Sequence, residues 1–218
     1  MLGTFEDRII FYIILLIGIT MHEFGHAYAA DKLGDPLPRA MGRVTLNPLA
    51  HADKVGTFIL PLVMIFTGAP ILFGWGKPVY VSLPNPKTRM RDDLISTACG
   101  PLANLVLALI ATFIFSAAYV YKLQSLQDVA IIAMLVNCML FVFNMLPIPP
   151  LDGSHFLRYV LKVSNETYAK IERNGFWILL VIILLPATNN ILGYLIDLAL
   201  KGLLCAANFF VIIIQRIA

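Results

Sequence analysis

Charged residues are scarce in this chain, and their scarcity bounds its class. Of its 218 residues, 13% are Asp, Glu, Lys or Arg and 59% are hydrophobic. A soluble domain usually carries roughly 25% charged residues. The composition therefore excludes an ordinary soluble domain and predicts an integral membrane protein with several spans.

Basic tracts and a cysteine framework are also missing. The formal net charge is only +3, and no run of Lys and Arg points to a nucleic acid partner. Cys99, Cys138 and Cys205 lie in apolar stretches without C-x-x-C spacing, which favours packed thiols over disulfides. The acidic N-terminal flank and the long apolar run that follows argue against a cleaved signal peptide.

The apolar runs predict an all-α polytopic membrane protein with about five transmembrane helices, because each span needs about 20 apolar residues. The runs cover residues 9–30, 94–121, 129–146, 176–185 and 191–217. Residues 151–174 are amphipathic and predict a short surface helix, and Val79–Leu83 predicts a short β-like loop. We expect one domain over residues 1–218, with a catalytic core over about 9–160 and C-terminal helices over about 175–217.

The first apolar run contains the motif His22-Glu23-Phe24-Gly25-His26, and Glu23 is its only charged residue. Residues four apart share a helix face, so both histidines can bind one metal ion, and Glu23 can reach a metal-bound water as its base. Ionisable groups at membrane depth are costly and are functional by default. The pattern predicts a zinc hydrolase within the bilayer.

A catalytic zinc ion usually has three protein ligands and a water, so a third ligand is needed. Asp152 is the best candidate, because it follows the proline-broken end of an apolar run, where irregular backbone can line a cavity. A turn aspartate before Gly153 is an equally ordinary interpretation. The other candidates are Glu166, His51 with Asp53, and His155.

Charge distribution bears on the topology of residues 55–73, an apolar run interrupted by Pro61, Gly68 and Pro70. If this run crossed the membrane, Asp152 would emerge on the side opposite to the histidines. If it is re-entrant, the three ligands converge and most basic residues share one side, which the positive-inside rule makes cytoplasmic. We therefore predict a re-entrant segment and an active site nearer the cytoplasmic face of the cell membrane.

The motifs together resemble the site-2 protease family of intramembrane zinc metalloproteases. The matching pieces are His22-Glu23-Phe24-Gly25-His26, Gly100-Pro101-x-x-Asn104 and Asn144-Met145-Leu146-Pro147-x-Pro149-x-Leu151-Asp152-Gly153. Asn47-Pro48 and the stretch after it look like the minimal bacterial and archaeal branch, which has no PDZ or CBS domain. Lys54 and Ser154 depart from that branch, where proline and glycine are common, and neither is a predicted ligand.

The resemblance implies one Zn²⁺ per chain held by His22, His26 and Asp152, with Glu23 as the base. It also implies a substrate that is a transmembrane helix of another protein. Asn144 could stabilise the oxyanion or hold the substrate, or could bond between helices instead. Two other functions stay open: a metal transporter or sensor with the same ligands, and an inactive helix-binding scaffold.

Overall fold

The structure, a computed structural model, describes residues 4–69 and 72–217 and is helical without a β-sheet in those ranges. Four of the described helices are long and apolar enough to cross a membrane, so the prediction of an all-α polytopic membrane protein is confirmed. The helices are α1 Phe5–Lys32, α2 Leu37–Ala40, α3 Pro48–His51, α4 Leu60–Phe66, α5 Arg89–Val120, α6 Gln124–Asn144, α7 Gly153–Val160, α8 Asn165–Arg173, α9 Gly175–Leu184 and α10 Pro186–Ile217.

The four long helices are α1, α5, α6 and the part of α10 from Asn190 to Ile217. The apolar run at 176–185, counted in the sequence among about five spans, lies in α9, which has only 10 residues. At 1.5 Å per residue such a helix is about 15 Å long, roughly half the hydrocarbon thickness. The amphipathic stretch 151–174 forms two short helices, α7 and α8, instead of one.

Helices α1, α5 and α6 pack together and form the frame of the molecule. Phe11, Ile14, Leu15 and Ile19 of α1 are buried in one cluster with Val136 of α6. On the other side of α6, a second cluster joins α5, α6 and α10. Small residues dominate the α5 contribution to that cluster, which allows helix axes to approach closely. The members from α5 are Ala108 and Ala111.

The segment predicted to be re-entrant turns back on itself, as the charge distribution indicates. A π-helical stretch at Lys54–Ile59 leads into α4, and the chain then returns so that Gly76 forms a β-bridge with Ala52. At the end of this segment that follows α4, the carbonyl of Ala69 accepts from Arg8 Nη1 at 2.6 Å. Arg8 lies near the start of α1. Pro70, one of the predicted interruptions, lies outside the described residues.

Residues 79–83, predicted to be β-like, form a loop that joins no β-ladder. Ser82 and Leu83 donate their backbone N–H groups to Asp35 Oδ2 at 2.5 and 2.9 Å, and Leu37 donates to Oδ1 at 3.0 Å. One buried carboxylate therefore accepts the first N–H group of α2 and anchors this loop next to the C-terminal end of α1. The loop thereby becomes a wall beside the histidine motif.

Candidate metal centre

The two histidines of the HExxH motif lie one turn apart on α1 and point into the helix bundle. Their Nε2 atoms are 3.0 Å apart, and the His22 side chain is buried. Helical geometry places residues i and i+4 on the same face, so this juxtaposition follows from the spacing in the sequence. Which nitrogen of each ring faces the site depends on the groups behind the rings.

Asn104 on α5 determines the orientation of His22. Its amide nitrogen donates to the carbonyl of Gly18 at 3.0 Å and to Asn137 Oδ1 at 3.1 Å. The Asn104 oxygen is left to accept, and it accepts from His22 Nδ1 at 2.7 Å. With its proton on Nδ1, a neutral His22 presents the lone pair of Nε2 to the site.

Helix α5 also orients His26, but with a backbone group. The carbonyl of Ser96 can only accept, so His26 Nδ1 donates to it, at 2.8 Å. Gly100, one turn further along α5, lies against the His26 ring so closely that a Cβ atom there would overlap it. On the α1 side, a Cβ at Gly25 would be 2.5 Å from the carbonyl oxygen of Cys99. Glycine at both positions lets the two helix backbones meet.

Asp152 brings the third oxygen to the histidines. Its Oδ2 lies 3.1 Å from His22 Nε2 and 3.4 Å from His26 Nε2. The residue stands just before α7, and Gly153 packs so tightly on the backbone carbonyls of Met145 and Leu146 that no side chain would fit. The end of α6 therefore folds back and delivers the carboxylate to α1.

These three atoms fit a metal ion. Asp152 Oδ2 is buried and accepts no hydrogen bond, and both Nε2 atoms lie within 3.4 Å of it. Three acceptors without a proton between them repel one another unless a cation lies among them. A tetrahedral zinc ion with bonds of about 2.0–2.1 Å would hold its ligands about 3.3–3.4 Å apart, close to the separations observed.

The other candidates for the third ligand lie elsewhere or have other partners. Glu166 is exposed on α8, and His51 Nε2 donates to the carbonyl of Thr45 at 2.8 Å. Asp53 accepts from the backbone N–H groups of Val55 and Gly56. His155 bonds to Asp93. Within the described residues, His22, His26 and Asp152 are the group that can share an ion.

Comparison with known families identifies the chain. The profile of Peptidase family M50 matches residues 10–128 and 120–186. The chain belongs to peptidase family M50. This is the site-2 protease family that the motifs resemble, so that prediction is confirmed, and the protein is a zinc metalloendopeptidase with a multi-pass membrane fold.

Curated relatives of this M50 peptidase agree with the assignment. It is 33% identical over 204 residues to "Putative zinc metalloprotease YwhC" of Bacillus subtilis, covering 85% of this chain and 89% of that protein. It is 31% identical over 177 residues to "Putative zinc metalloprotease Rip2" of Mycolicibacterium smegmatis, covering 80% of this chain and 66% of that protein. Rip2 of Mycobacterium tuberculosis is also 31% identical, over 180 residues. No solved structure gives a significant match.

Glu23 of this M50 peptidase has a charged neighbour that the sequence analysis did not single out. Arg43 is 2% exposed, and its Nη2 lies 3.7 Å from Glu23 Oε2. The same guanidinium donates to the carbonyl oxygens of Ala50, at 2.7 Å, and Lys77. Arg43 thus joins both sides of the re-entrant segment to the carboxylate of the HExxH motif.

The metal-site side chains open into a cavity of about 220 Å³. Val79, Val81 and Asn144 are among the residues that line it. The Asn144 amide donates to the carbonyl of Leu140 at 2.9 Å, within its own helix. The structure therefore brings Asn144 to the cavity, while its role towards an oxyanion or a substrate stays a prediction.

Asp93 is a second buried charge that the sequence analysis missed. It is 4% exposed, accepts from Tyr159 Oη at 2.7 Å and lies 3.2 Å from His155 Nδ1. Burial together with the hydrogen bond to Asp93 raises the pKa of Tyr159 to about 12. These contacts tie α7 to α5 immediately after Asp152, so α5 supports both segments that carry the ligands, α1 and the start of α7.

Neither Arg43 nor Asp93 has a signal in the sequence that separates it from the other charged residues of the loops. Arg43 meets Glu23 only because the re-entrant segment returns beside α1. Asp93 meets Tyr159 only because α7 folds back under α5. Both side chains are buried, which is unusual for charged residues, and the burial of a side chain cannot be read from the sequence alone.

Proposed function

We propose that this M50 peptidase hydrolyses peptide bonds in or near transmembrane helices of other proteins, with one zinc ion per chain bound by His22, His26 and Asp152. The observation that carries the proposal is the group of three acceptor atoms 3.0–3.4 Å apart. It lies among helices long and apolar enough to span a bilayer. This position supports a substrate whose scissile peptide bond lies within or beside the membrane.

The residues of the site divide the chemistry between them. When bound, a zinc ion lowers the pKa of a coordinated water and polarises the scissile carbonyl. Glu23 would accept a proton from the attacking water and return it to the leaving amine. Arg43 lies 3.7 Å from Glu23, and its charge attracts the carboxylate and helps to fix its position beside the cavity.

Substrate amides must leave their helix before they can be cut, and the cavity wall offers a place for the unwound strand. Val79 and Val81 line the cavity, and Asp35 anchors their loop at Ser82 and Leu83. An extended peptide could pair with this segment by β-addition. Asn144, which also lines the cavity, would hold the peptide or its oxyanion.

We further propose that the site lies near the cytoplasmic face. The C-terminal end of α1 with the loop after it, the two ends of the re-entrant segment and the start of α5 carry eight of the 16 basic residues, and the stretch of α7 and α8 carries four more. By the positive-inside rule that end is cytoplasmic. The residues concerned are Lys32, Arg39, Arg43, Lys54, Lys77, Lys87, Arg89 and Arg91.

The test of the function is Glu23→Gln in the full chain, in proteoliposomes with a membrane-anchored reporter. We expect one zinc ion per chain in both proteins and a loss of cleavage of about 100-fold or more in the variant, because the general base is removed. Glu166→Gln, at an exposed position on α8, is the matched control and should cleave as the wild type does.

Two outcomes would contradict the proposal. Cleavage that survives Glu23→Gln would remove Glu23 from the chemistry. Zinc flux across the vesicle membrane without any cleavage by the wild type would favour a metal transporter that uses the same ligands.

A further inference from the structure

A second cavity of about 320 Å³ lies beside the metal-site cavity. The two cavities have four lining residues in common, which places them next to each other. These residues are Val81, Asp93, His155 and Glu172. The hydrolysis proposed above takes place in the first cavity and assigns no ligand to the second, so the second cavity is a candidate subsite.

Helix α5 shows how the second cavity is placed relative to the metal centre. Ser96 lines the metal-site cavity, Asp93 lines both cavities, and Arg89 lines only the second of the two. At a rise of 1.5 Å per residue, the step from Ser96 to Arg89 along the helix is about 10 Å. The second cavity is therefore displaced towards the start of α5, the end that we propose to be cytoplasmic.

The loop after the re-entrant segment runs in the same direction. Val79 lines the metal-site cavity, Val81 lines both cavities, and Leu83 lines the second. A substrate strand that pairs with this loop, as proposed above, would therefore continue from the metal centre into the second cavity. An extended chain advances about 3.3 Å per residue, so a distance of about 10 Å corresponds to about three residues.

Arg158 on α7 is one of two arginines that line the second cavity. Its guanidinium carbon lies 5.2 Å from the ring centroid of Tyr159 and 4.7 Å from that of Tyr168. Nη2 donates to the side-chain oxygen of Asn165, and Nε is buried without an acceptor. These contacts fix the position of the guanidinium group, but none of these partners is a carboxylate.

Arg89 is the second arginine of this cavity and is exposed at the start of α5. Its Nε donates to the carbonyl of Leu83 at 3.3 Å, which leaves the two terminal nitrogens for a ligand. Burial and Asp93 raise the pKa of Tyr159, and the charges of Arg158 and Arg89 oppose that rise. Both guanidinium groups therefore lie near the hydroxyl group of Tyr159.

Two carboxylates also line the second cavity, and they do not neutralise this pair of arginines. Asp93 is buried, and its oxygens already interact with Tyr159 and His155, so it balances at most one of the two positive charges. Glu172 is exposed and lines both cavities, which places it where they adjoin. Among the described residues, neither arginine forms an ion pair with a carboxylate. The end of the cavity near Tyr159 therefore favours a negatively charged ligand.

We propose that the second cavity is a subsite for an acidic side chain of the substrate, bound by Arg89 and Arg158. This side chain belongs to a residue about two to four positions from the scissile bond, on its cytoplasmic side. Guanidinium groups suit such a ligand, because their planar donors match the two oxygens of a carboxylate. The inference rests on the proposed function, since it extends the substrate strand of that function into the adjoining cavity.

Matched reporter substrates in proteoliposomes test the subsite with the full chain. The reporters differ only in carrying Glu, Gln or Lys at one of these positions, and mass spectrometry of the products locates the cut. At one position we expect kcat/KM to be about tenfold higher with Glu than with Gln, the size of a charge-assisted hydrogen bond. Equal cleavage of the three reporters at every position would overturn the subsite and leave the proposed function standing. No cleavage of any reporter would contradict the proposed function itself.

Reversal of charge distinguishes recognition from a structural role of the arginines. Arg158→Glu and Arg89→Glu should each shift the preference from the Glu reporter towards the Lys reporter, which a loss of packing alone would not do. Arg173→Gln is the control, because Arg173 is exposed on α8 and lines neither cavity. It should keep the preference of the wild type. Zinc content shows which variants are folded, and a folded Arg89→Glu protein that keeps the wild-type preference would overturn the proposal.

An anionic lipid headgroup is the other ligand that two arginines near a membrane could bind, and the same variants detect it. Each variant is assayed in vesicles of phosphatidylcholine with and without phosphatidylglycerol. We expect the shift in preference in both kinds of vesicle. If Arg89→Glu instead changes cleavage of the Glu and Lys reporters by the same factor, and only when phosphatidylglycerol is present, the arginines bind lipid and the proposal is overturned.

Discussion

His22 and His26 are oriented by uncharged acceptors inside the helix bundle, an amide oxygen and a backbone carbonyl, whereas the loops around the cavity are held by the charged side chains of Arg43 and Asp35. The reason is the environment. Neutral groups lose little when they are buried, while a charge at the same place needs several partners. In the loops around the cavity, backbone groups supply such partners to Arg43 and Asp35.

The comparison implies different sensitivities. Zinc binding should depend on the close fit of α1 and α5 and on the single hydrogen bond that α5 gives to each histidine. The groups that orient the histidines are uncharged, so they should add no pH dependence of their own. The loops around the cavity are held by the charges of Arg43 and Asp35. Substitution of either residue should therefore change activity or stability while the metal stays bound. The following substitutions test this division, beginning with the largest effect.

Gly100→Ala should have the largest effect on the metal centre. The new Cβ atom would overlap the His26 ring, so the ring must move, and a displacement of about 1 Å at a reacting centre can cost about 100-fold in rate. We expect loss of zinc and of cleavage, measured by metal content and by reporter assay. Gly202→Ala is the control, because nothing lies within 4 Å of the added atom. Normal zinc content in Gly100→Ala would show that the contact is unimportant.

Asn104→Ala removes the acceptor that orients His22. Loss of such a partner typically lowers metal affinity about 10- to 100-fold, and zinc affinity measured by competition with a chelator should fall by that amount. Asn85→Ala, in an exposed loop, should leave the affinity unchanged. If both variants bind zinc equally well, the hydrogen bond from His22 Nδ1 does not orient the ring.

Arg43→Gln should lower activity without affecting zinc binding. The variant loses the charge beside Glu23 and leaves two carbonyl oxygens short of a donor, so we expect kcat to fall about tenfold with zinc content unchanged. Arg43→Lys should recover only part of the activity, because an ammonium group cannot reproduce the planar fork of the guanidinium.

The control for Arg43 is Arg39→Gln. Arg39 pairs with Asp31 at the surface and its side chain is 67% exposed, so its loss should leave kcat unchanged. Loss of zinc from Arg43→Gln would contradict the idea that Arg43 holds the loops around the cavity without supporting the metal ligands.

Asp35→Asn should have the smallest effect at neutral pH and should change the response to acid. Burial alone would raise the pKa of Asp35, but hydrogen bonds from Ser82, Leu83 and Leu37 outweigh it and hold the pKa below its ordinary value. A lowered folded-state pKa contributes stability above the unfolded pKa of about 4, and the contribution is lost as the pH falls through the folded value.

Thermal unfolding measures this contribution. Asp35→Asn should lower stability at pH 7 by about 1–2 kcal/mol, the size of a charge-assisted hydrogen bond, and the difference from the wild type should shrink on acidification. A difference that is constant from neutral to acid pH would show that the ionised carboxylate does not anchor the loop.

Much of the site could be predicted because its signals are local or lie in motifs. The spacing within His22-Glu23-Phe24-Gly25-His26 places two imidazoles on one helix face, and the apolar residues around it place that face in a membrane. The re-entrant course of residues 55–73 followed from proline breaks and from the distribution of basic residues. Asp152 was the best candidate of several, and the structure brings it to the histidines, while its role as a ligand stays a prediction.

Other features could not be predicted because they depend on how distant segments meet. The contact of Arg43 with Glu23 exists only once the re-entrant segment has returned beside α1. Orientation of both histidines by α5 needs the close approach that Gly25 and Gly100 permit. The exposure of Asp197 and Lys201 is also a tertiary property, because their spacing predicts the pair but not the face on which it lies.

The sequence by itself determined that the chain lies in a membrane, where its long helices run and which types of side chain could bind a metal ion. Each of these follows from composition or from residues a few positions apart. Only the tertiary structure decided which nitrogen of each histidine faces the site, which charge lies beside Glu23 and which polar side chains of α10 stay exposed. These properties arise from burial and from contacts between residues as far apart as His22 and Asn104, which no local pattern encodes.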